Sequence, residues 1–270
     1  MFFRDGILYR SDVLQVPCTA HGFSSREGGV STLPHLASLN LTRGLGDSEE
    51  NVSKNLDIFA LALSGGAFSG KNTVTAHQIH SSYVRIVTEA NRGEGYSRPQ
   101  GDDCDGFVTD RPGVMPVVRI ADCVPILLAC TSGNGRPVVG AVHAGWRGTA
   151  AGIAGEVVRA MVSLGCDPGN IRAALGPHIM ECCYEVGEDF VRSVEETTSP
   201  SFASRHIRER DGRFHADLTG MNLEILFEAG VRPVNTDDSG MCTCCSSDRF
   251  FSHRASRGMR GTQGAAIVIL

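Results

Sequence analysis

The chain has no apolar run long enough to cross a bilayer. Its longest hydrophobic stretches are short or interrupted, and Met1-Phe2-Phe3 gives way at once to Arg4 and Asp5, whereas a spanning helix needs about 20 apolar residues. Neither an export signal nor a membrane segment is expected, and the cytoplasm is the expected compartment. Blocks of basic charge are missing too. The 25 Lys and Arg are dispersed among 30 Asp and Glu, for a net charge of -5, so nothing argues for a nucleic-acid or anionic-membrane partner. A small-molecule partner fits better. Linkers, repeats and low-complexity segments are lacking, and residues 1–270 are read as a single α/β domain. Ten cysteines in a chain of this size without export signals are expected to stay reduced or to bind metal.

What the sequence does hold is concentrated between Arg119 and Thr149. Val124 to Cys130 and Val138 to Val142 are short, β-branched-rich runs separated by a Gly- and Pro-containing loop, which predicts two strands of a hairpin. Cys123 then enters one strand as His143 leaves the other, so both side chains belong at one edge of a sheet. Ala144-Gly145-Trp146-Arg147-Gly148 follows, ahead of a helical pattern from Thr149 to Leu164. That helix start is a ready anion site, with Arg147 as a fork for phosphate or carboxylate.

Earlier in the chain, Gly6 to Val13 reads as an opening strand, and Cys18 to Thr32 as a polar glycine-rich segment whose Arg26 can meet an anion. Asp47 is the expected cap of a helix, with Glu50 three residues on and Val52, Leu56, Phe59, Ala60 and Leu63 on one face. His77 and His80 follow a short strand beginning at Thr73. At that spacing on extended chain only one of them points inward. Asp105 and Asp122 are the carboxylates placed to orient a metal-bound histidine or to exchange protons with substrate. Strands are expected at Val114 to Ile120, Ile171 to Leu175, Val231 to Val234 and Ala265 to Leu270, with helices from Gly187 and from Asp217.

Two histidines and a cysteine make a three-ligand zinc site with one open position, the arrangement of a catalytic centre. The segments HGFSSREGGVS, HQIH, DGFVTD, ADCVPILL, AVHAGWRGTAAG, LGPHI, CCYEVGEDF and CTCCSSDRFFSHR together resemble the YfiH-type laccase-domain family, also called polyphenol oxidase or peptidoglycan-editing factor. The resemblance runs along nearly the whole chain. It implies a mixed α/β multilayer fold of the YfiH-like, cytotoxic-necrotizing-factor-like type and one zinc ion held by His80, Cys123 and His143. It also implies purine nucleoside phosphorylase activity on adenosine, inosine, guanosine or methylthioadenosine, with inorganic phosphate as co-substrate and adenosine deamination as a side activity. Arg26 and Arg147 are the cations in matching segments for phosphate, and Asp122 or Asp105 the candidate proton carrier. Ile120, Cys104 and His253 depart from the family's usual threonine, alanine and tyrosine, and are expected beside the pocket.

Copper catalysis is not expected, because nine scattered histidines supply no H-x-H pair for a multicopper centre. Two other readings remain open at this point. One drops the metal and makes Cys123 and His143 the nucleophile and base of an amide hydrolase acting in peptidoglycan editing. The other makes zinc structural in a non-enzymatic interaction module, with Cys104 or His77 as fourth ligand. Cys242 and Cys245 form a C-x-x-C that can bind a second metal or exchange with Cys182 or Cys183, reduced structural thiols being the preferred reading.

Overall fold

The β-branched runs of the sequence become the inner strands of two six-stranded sheets in the computed structural model, which describes residues 1–270. One sheet runs in the order Phe2–Asp5, Leu8–Ser11, Thr19–Ser24, Gln263–Ile269, Met115–Ile120, Thr73–Val74; the other runs Thr236–Asp238, Arg172–Leu175, Val124–Thr131, Pro137–Ala144, Gly106–Thr109, Val84–Ile86. A small third sheet pairs Glu185–Val186, Arg213–Ala216 and Ile207–Arg210.

Alternation along the strands explains the layering. Leu127, Ala129, Val139 and Ala141 of the second sheet pack with Val118, Ile120, Ala265 and Ile267 of the first, filling the space between them. Their neighbours Ile126, Leu128, Val138 and Val142 point the other way, onto the helices Ile153–Ser163 and Leu218–Glu228. On the far side, Met115, Val117, Ala266 and Val268 meet Leu56, Phe59 and Leu63 of the helix Glu49–Ser64. The result is a helix, sheet, sheet, helix stack. A strand covered on both faces has no polar side, which is why Val124 to Cys130 is continuously apolar; each such Val, Leu or Ile contributes roughly 1.5–3 kcal/mol by burial. The mixed α/β multilayer expectation holds.

Several local expectations are corrected. The opening strand is a hairpin of Phe2–Asp5 with Leu8–Ser11, and Thr19–Ser24, read as part of a polar loop, is a largely buried strand beside the C-terminal one. Ser48 rather than Asp47 caps the first long helix; Asp47 accepts from Ser31, Asn40 and Asn51 instead. The helix expected from Thr149 to Leu164 is two pieces, Trp146–Ala150 and Ile153–Ser163, broken where Gly152 takes φ +80°. Val231 to Val234 is not a strand: Pro233 lacks the N–H a ladder needs and starts a 3-10 turn, so pairing begins at Thr236.

A candidate metal centre at the sheet edge

The hairpin register sets the site. Pro125 lies opposite His143 and Val124 opposite Ala144, so Cys123 sits just outside the ladder at the end where His143 leaves it. His80 comes from the loop after Thr73–Val74. It has φ +61°, and Asp122, next to Cys123, has φ +92°; non-glycine residues held there cost about 1–3 kcal/mol each. Both strained residues flank the same cluster.

Asp105 offsets the strain at His80. Its fully buried carboxylate accepts from the backbone N–H groups of Ile79, His80 and Ser81 at 3.2, 3.1 and 2.6 Å and from the Ser81 hydroxyl at 2.8 Å. The same carboxylate accepts from Nδ1 of His143 at 2.8 Å, leaving the Nε2 lone pair to bind a metal. One acidic side chain therefore positions both histidines. Gly145 completes the fit, since a Cβ there would stand 2.4 Å from His80 Cδ2. The two imidazoles meet edge to face with centroids 4.9 Å apart, and His80 Nε2 lies 3.8 Å from Cys123 Sγ. One ligand atom from each of His80, Cys123 and His143 falls within 4.8 Å of the others.

The electrostatics suit a ligand set. Burial raises the Asp105 carboxyl, but the bonds from His143 and Ser81 outweigh it and hold the group down to about 2. Burial also opposes ionisation of Cys123, yet His143 and then His80 bring the thiol down to about 6. For His143, burial disfavours the charge, and Cys123 and Asp105 reverse this and raise the imidazole to about 9. Cys123 and His143 thus favour each other's charged forms, and the thiolate is the form of cysteine that binds metal.

Asp122 is nearly buried. Its oxygens accept from the Thr243 hydroxyl at 2.6 Å and from the Arg254 backbone N–H at 2.7 Å, tying two C-terminal loops to the residue before Cys123.

A hollow of about 220 Å³ opens over the cluster, walled by Thr42, Gln78, Arg119, Arg260 and Thr262 among others. It adjoins a larger hollow of about 500 Å³ that shares Thr42, His77 and Arg119 with it and adds Tyr96, Arg98 and Gln100. Nη2 of Arg119 donates to Ala76 O at 2.8 Å, but the buried Nε atoms of Arg119 and Arg260 have no partner. Both arginines line the same small hollow.

The sequence reading did not single out these two arginines. Arg119 had a signal, a lone charge inside the apolar strand Met115–Ile120; Arg260, in a loop between Met259 and Gly261, had none. The two that were singled out lie elsewhere. Arg26 donates to the carbonyls of Ala37, Ser247 and Pro34 and stacks over Phe251, across Arg260 from the cluster. Arg147 is exposed with its guanidinium 4.2 Å above the Trp146 ring, outside the wall of the hollow. The three unusual residues are not pocket residues either: Ile120 and Cys104 are buried in the layer between the sheets and His253 is exposed at a short helix. Cys104 and His77 do not join the ligand cluster; His77 pairs with Asp103 at 3.4 Å on the surface.

The family described as Multi-copper polyphenol oxidoreductase laccase matches residues 20–270. Purine nucleoside phosphorylase YlmD of Geobacillus stearothermophilus is 36% identical over 253 residues, covering 91% of this chain and 88% of that protein. Adenosine deaminase RL5, from an unknown prokaryotic organism, is 33% identical over 238 residues, covering 86% and 87%. The crystal structure of the Bacillus licheniformis hypothetical protein YfiH superposes with a TM-score of 0.90 at 29% identity, covering 100% of this chain and 99% of that one.

Proposed function

Because the chain belongs to the multi-copper polyphenol oxidoreductase laccase family, the YfiH-type family, over residues 20–270, we propose that it is a zinc-dependent purine nucleoside phosphorylase. The reaction is nucleoside plus phosphate to free base plus ribose 1-phosphate for adenosine, inosine and guanosine, and to adenine plus 5-methylthioribose 1-phosphate for methylthioadenosine, with adenosine deamination as a side activity. Relatives named as purine nucleoside phosphorylases and as an adenosine deaminase support the two reactions. The observation that carries the reading is the His80, Cys123 and His143 cluster at the floor of a hollow walled by two arginines, Arg119 and Arg260.

The donor set fits zinc: a thiolate and two imidazoles, one of them held by a carboxylate, are the ligands Zn²⁺ prefers, and three protein donors leave a position free. When bound there, the ion would supply Lewis acidity at the floor of the hollow. Copper is not part of this proposal. The chain's own residues do the rest. Arg119 and Arg260, which both line the hollow, hold the phosphate dianion through their guanidinium groups. The adjoining hollow takes the nucleoside, whose C1′ must come within attack distance of a phosphate oxygen as the bond from C1′ to the base nitrogen breaks. Asp105 stays ionised and acts as a positioning residue for His80 and His143. Asp122 fixes the backbone ahead of Cys123 through Thr243 and Arg254.

The test incubates zinc-assayed protein with adenosine, with and without phosphate, and separates adenine, inosine, hypoxanthine and ribose 1-phosphate. Phosphate-dependent release of adenine with ribose 1-phosphate, lost in Cys123→Ala, is the expected result. Inosine alone would make the protein chiefly a deaminase. Turnover of no nucleoside by folded, zinc-loaded protein would overturn the proposal and favour amide hydrolysis by the Cys123 and His143 pair.

A further inference from the structure

Away from the hollow, four more cysteines converge. Cys182 and Cys183 lie in the turn before the strand Glu185–Val186, and Cys242 and Cys245 in the loop after Thr236–Asp238. The four sulfurs all lie within 4.8 Å of one another. The shorter separations are 3.8 Å for Cys182 to Cys183, 3.7 Å for Cys182 to Cys245 and 3.3 Å for Cys183 to Cys245. A zinc ion bound to four thiolates at about 2.3 Å places its sulfurs about 3.8 Å apart along each edge of the tetrahedron. A disulfide would instead draw two of them to about 2.05 Å and leave the others aside; all four are free thiols.

We propose that Cys182, Cys183, Cys242 and Cys245 form a closed tetrathiolate site for a second, structural zinc ion. The backbone is already shaped for it. A parallel bridge joins His178 to Cys242, with Thr243 N donating to His178 O at 2.9 Å, so the two cysteine pairs are held in register before any ion arrives. The Met180 N–H points at Cys242 Sγ at 3.5 Å, and the N–H groups of Cys244 and Cys245 also face it. Arg254 braces the same turn, its guanidinium donating to the carbonyls of Cys183 and Glu185 at 2.9 and 2.8 Å. Four protein ligands leave no open position, so this ion would be structural, and binding would release the thiol protons to solvent.

The site has a consequence for the rest of the molecule. Thr243 lies between the two cysteines of the C-x-x-C loop and donates to Asp122, next to Cys123. Joining this loop to the 182–183 turn therefore fixes one support of the first cluster, without sharing a ligand with it.

The test is metal stoichiometry of the full chain, purified without chelator under reducing conditions. Two zinc ions per chain are expected in the wild type, one in Cys123→Ser, one in Cys245→Ser and one in Cys182→Ser, with two retained in the Cys244→Ser control. Cobalt substituted into Cys123→Ser should give the intense sulfur-to-cobalt charge-transfer bands and tetrahedral visible spectrum of a four-thiolate site. Cys123→Ser carries the test even if the variants in the cluster fold poorly. No zinc in folded Cys123→Ser would overturn the proposal, as would a mass two hydrogens lower with a disulfide among the four cysteines.

Discussion

Replacing Asp105 by asparagine isolates the role of one oxygen. The side chain keeps its size, so the buried space is unchanged, but one carboxylate oxygen becomes an NH2 group. In the wild type one oxygen accepts from Ile79, Ser81 N and Ser81 Oγ, and the other from His80 N and His143 Nδ1. The amide oxygen is best kept on the side with three donors, which turns the NH2 toward His143. The ring can then accept at Nδ1 only by moving its proton to Nε2, and a protonated Nε2 cannot bind metal. Binding zinc requires the proton back on Nδ1, facing another donor. The charge-assisted bond to His143 is lost, about 1.5–3 kcal/mol or roughly 10–100-fold in zinc affinity, the range found when other metal-bound histidines lose such a partner, and the His80 N–H loses its acceptor as well. Competition with a chromophoric chelator measures the affinity, and urea unfolding checks the fold. Wild-type zinc affinity in a folded Asp105→Asn protein would refute the assignment of Asp105 as the residue that sets the His143 tautomer.

Other substitutions probe the remaining parts. Gly145→Ala places a methyl against His80 Cδ2, so nucleoside turnover should fall at least about tenfold while the thermal midpoint changes little; unchanged turnover would show that His80 is not held where the packing puts it. Arg260→Ala should raise KM for phosphate about ten- to a hundredfold, the loss of one charge-assisted contact, with KM for adenosine nearly constant. Arg26→Ala should do the opposite, lowering stability through three lost carbonyl bonds and leaving KM for phosphate alone; a phosphate effect confined to Arg26→Ala would reverse the assignment. His21 governs acid stability: burial, with Arg10 beside it, pushes its pKa from 6.5 down to about 4, and its Nε2 accepts from Ser11 N at 2.9 Å. The folded value lies below the unfolded one, so this stability is complete above about pH 6.5 and is lost as pH falls through 4, an effect of about 3 kcal/mol. Urea midpoints between pH 7 and 4 should fall more steeply in the wild type than in His21→Gln, and equal slopes would show that His21 is not the group responsible.

Some of this was legible in the residues. The inward face of the helix Glu49–Ser64 and the hairpin of Val124–Thr131 with Pro137–Ala144 follow from periodicity, because one-sided and two-sided burial leave different patterns. The hairpin in turn fixed Cys123 and His143 at one edge. The polar reading of residues 18 to 32 failed because Thr19–Ser24 buries histidine, glycine and serine beside the C-terminal strand, a partner more than 200 residues away in sequence. Arg26 and Arg147 stand in segments rich in glycine, and composition cannot show that one guanidinium is spent on carbonyls and the other stacks on Trp146 outside the hollow.

The sequence by itself determined the hairpin of Val124–Thr131 with Pro137–Ala144, the long helix Glu49–Ser64 and two members of the first cluster, since each depends on local period, turn chemistry or a single loop. Tertiary structure alone decided the rest. It gave Asp105 its place beneath both histidines, drew Arg119 and Arg260 to one wall, and brought Cys182 and Cys183 against Cys242 and Cys245. Those meetings join segments tens of residues apart or more, and their distances are set by how the two sheets stack and where the connecting loops cross their edge, which no local pattern encodes.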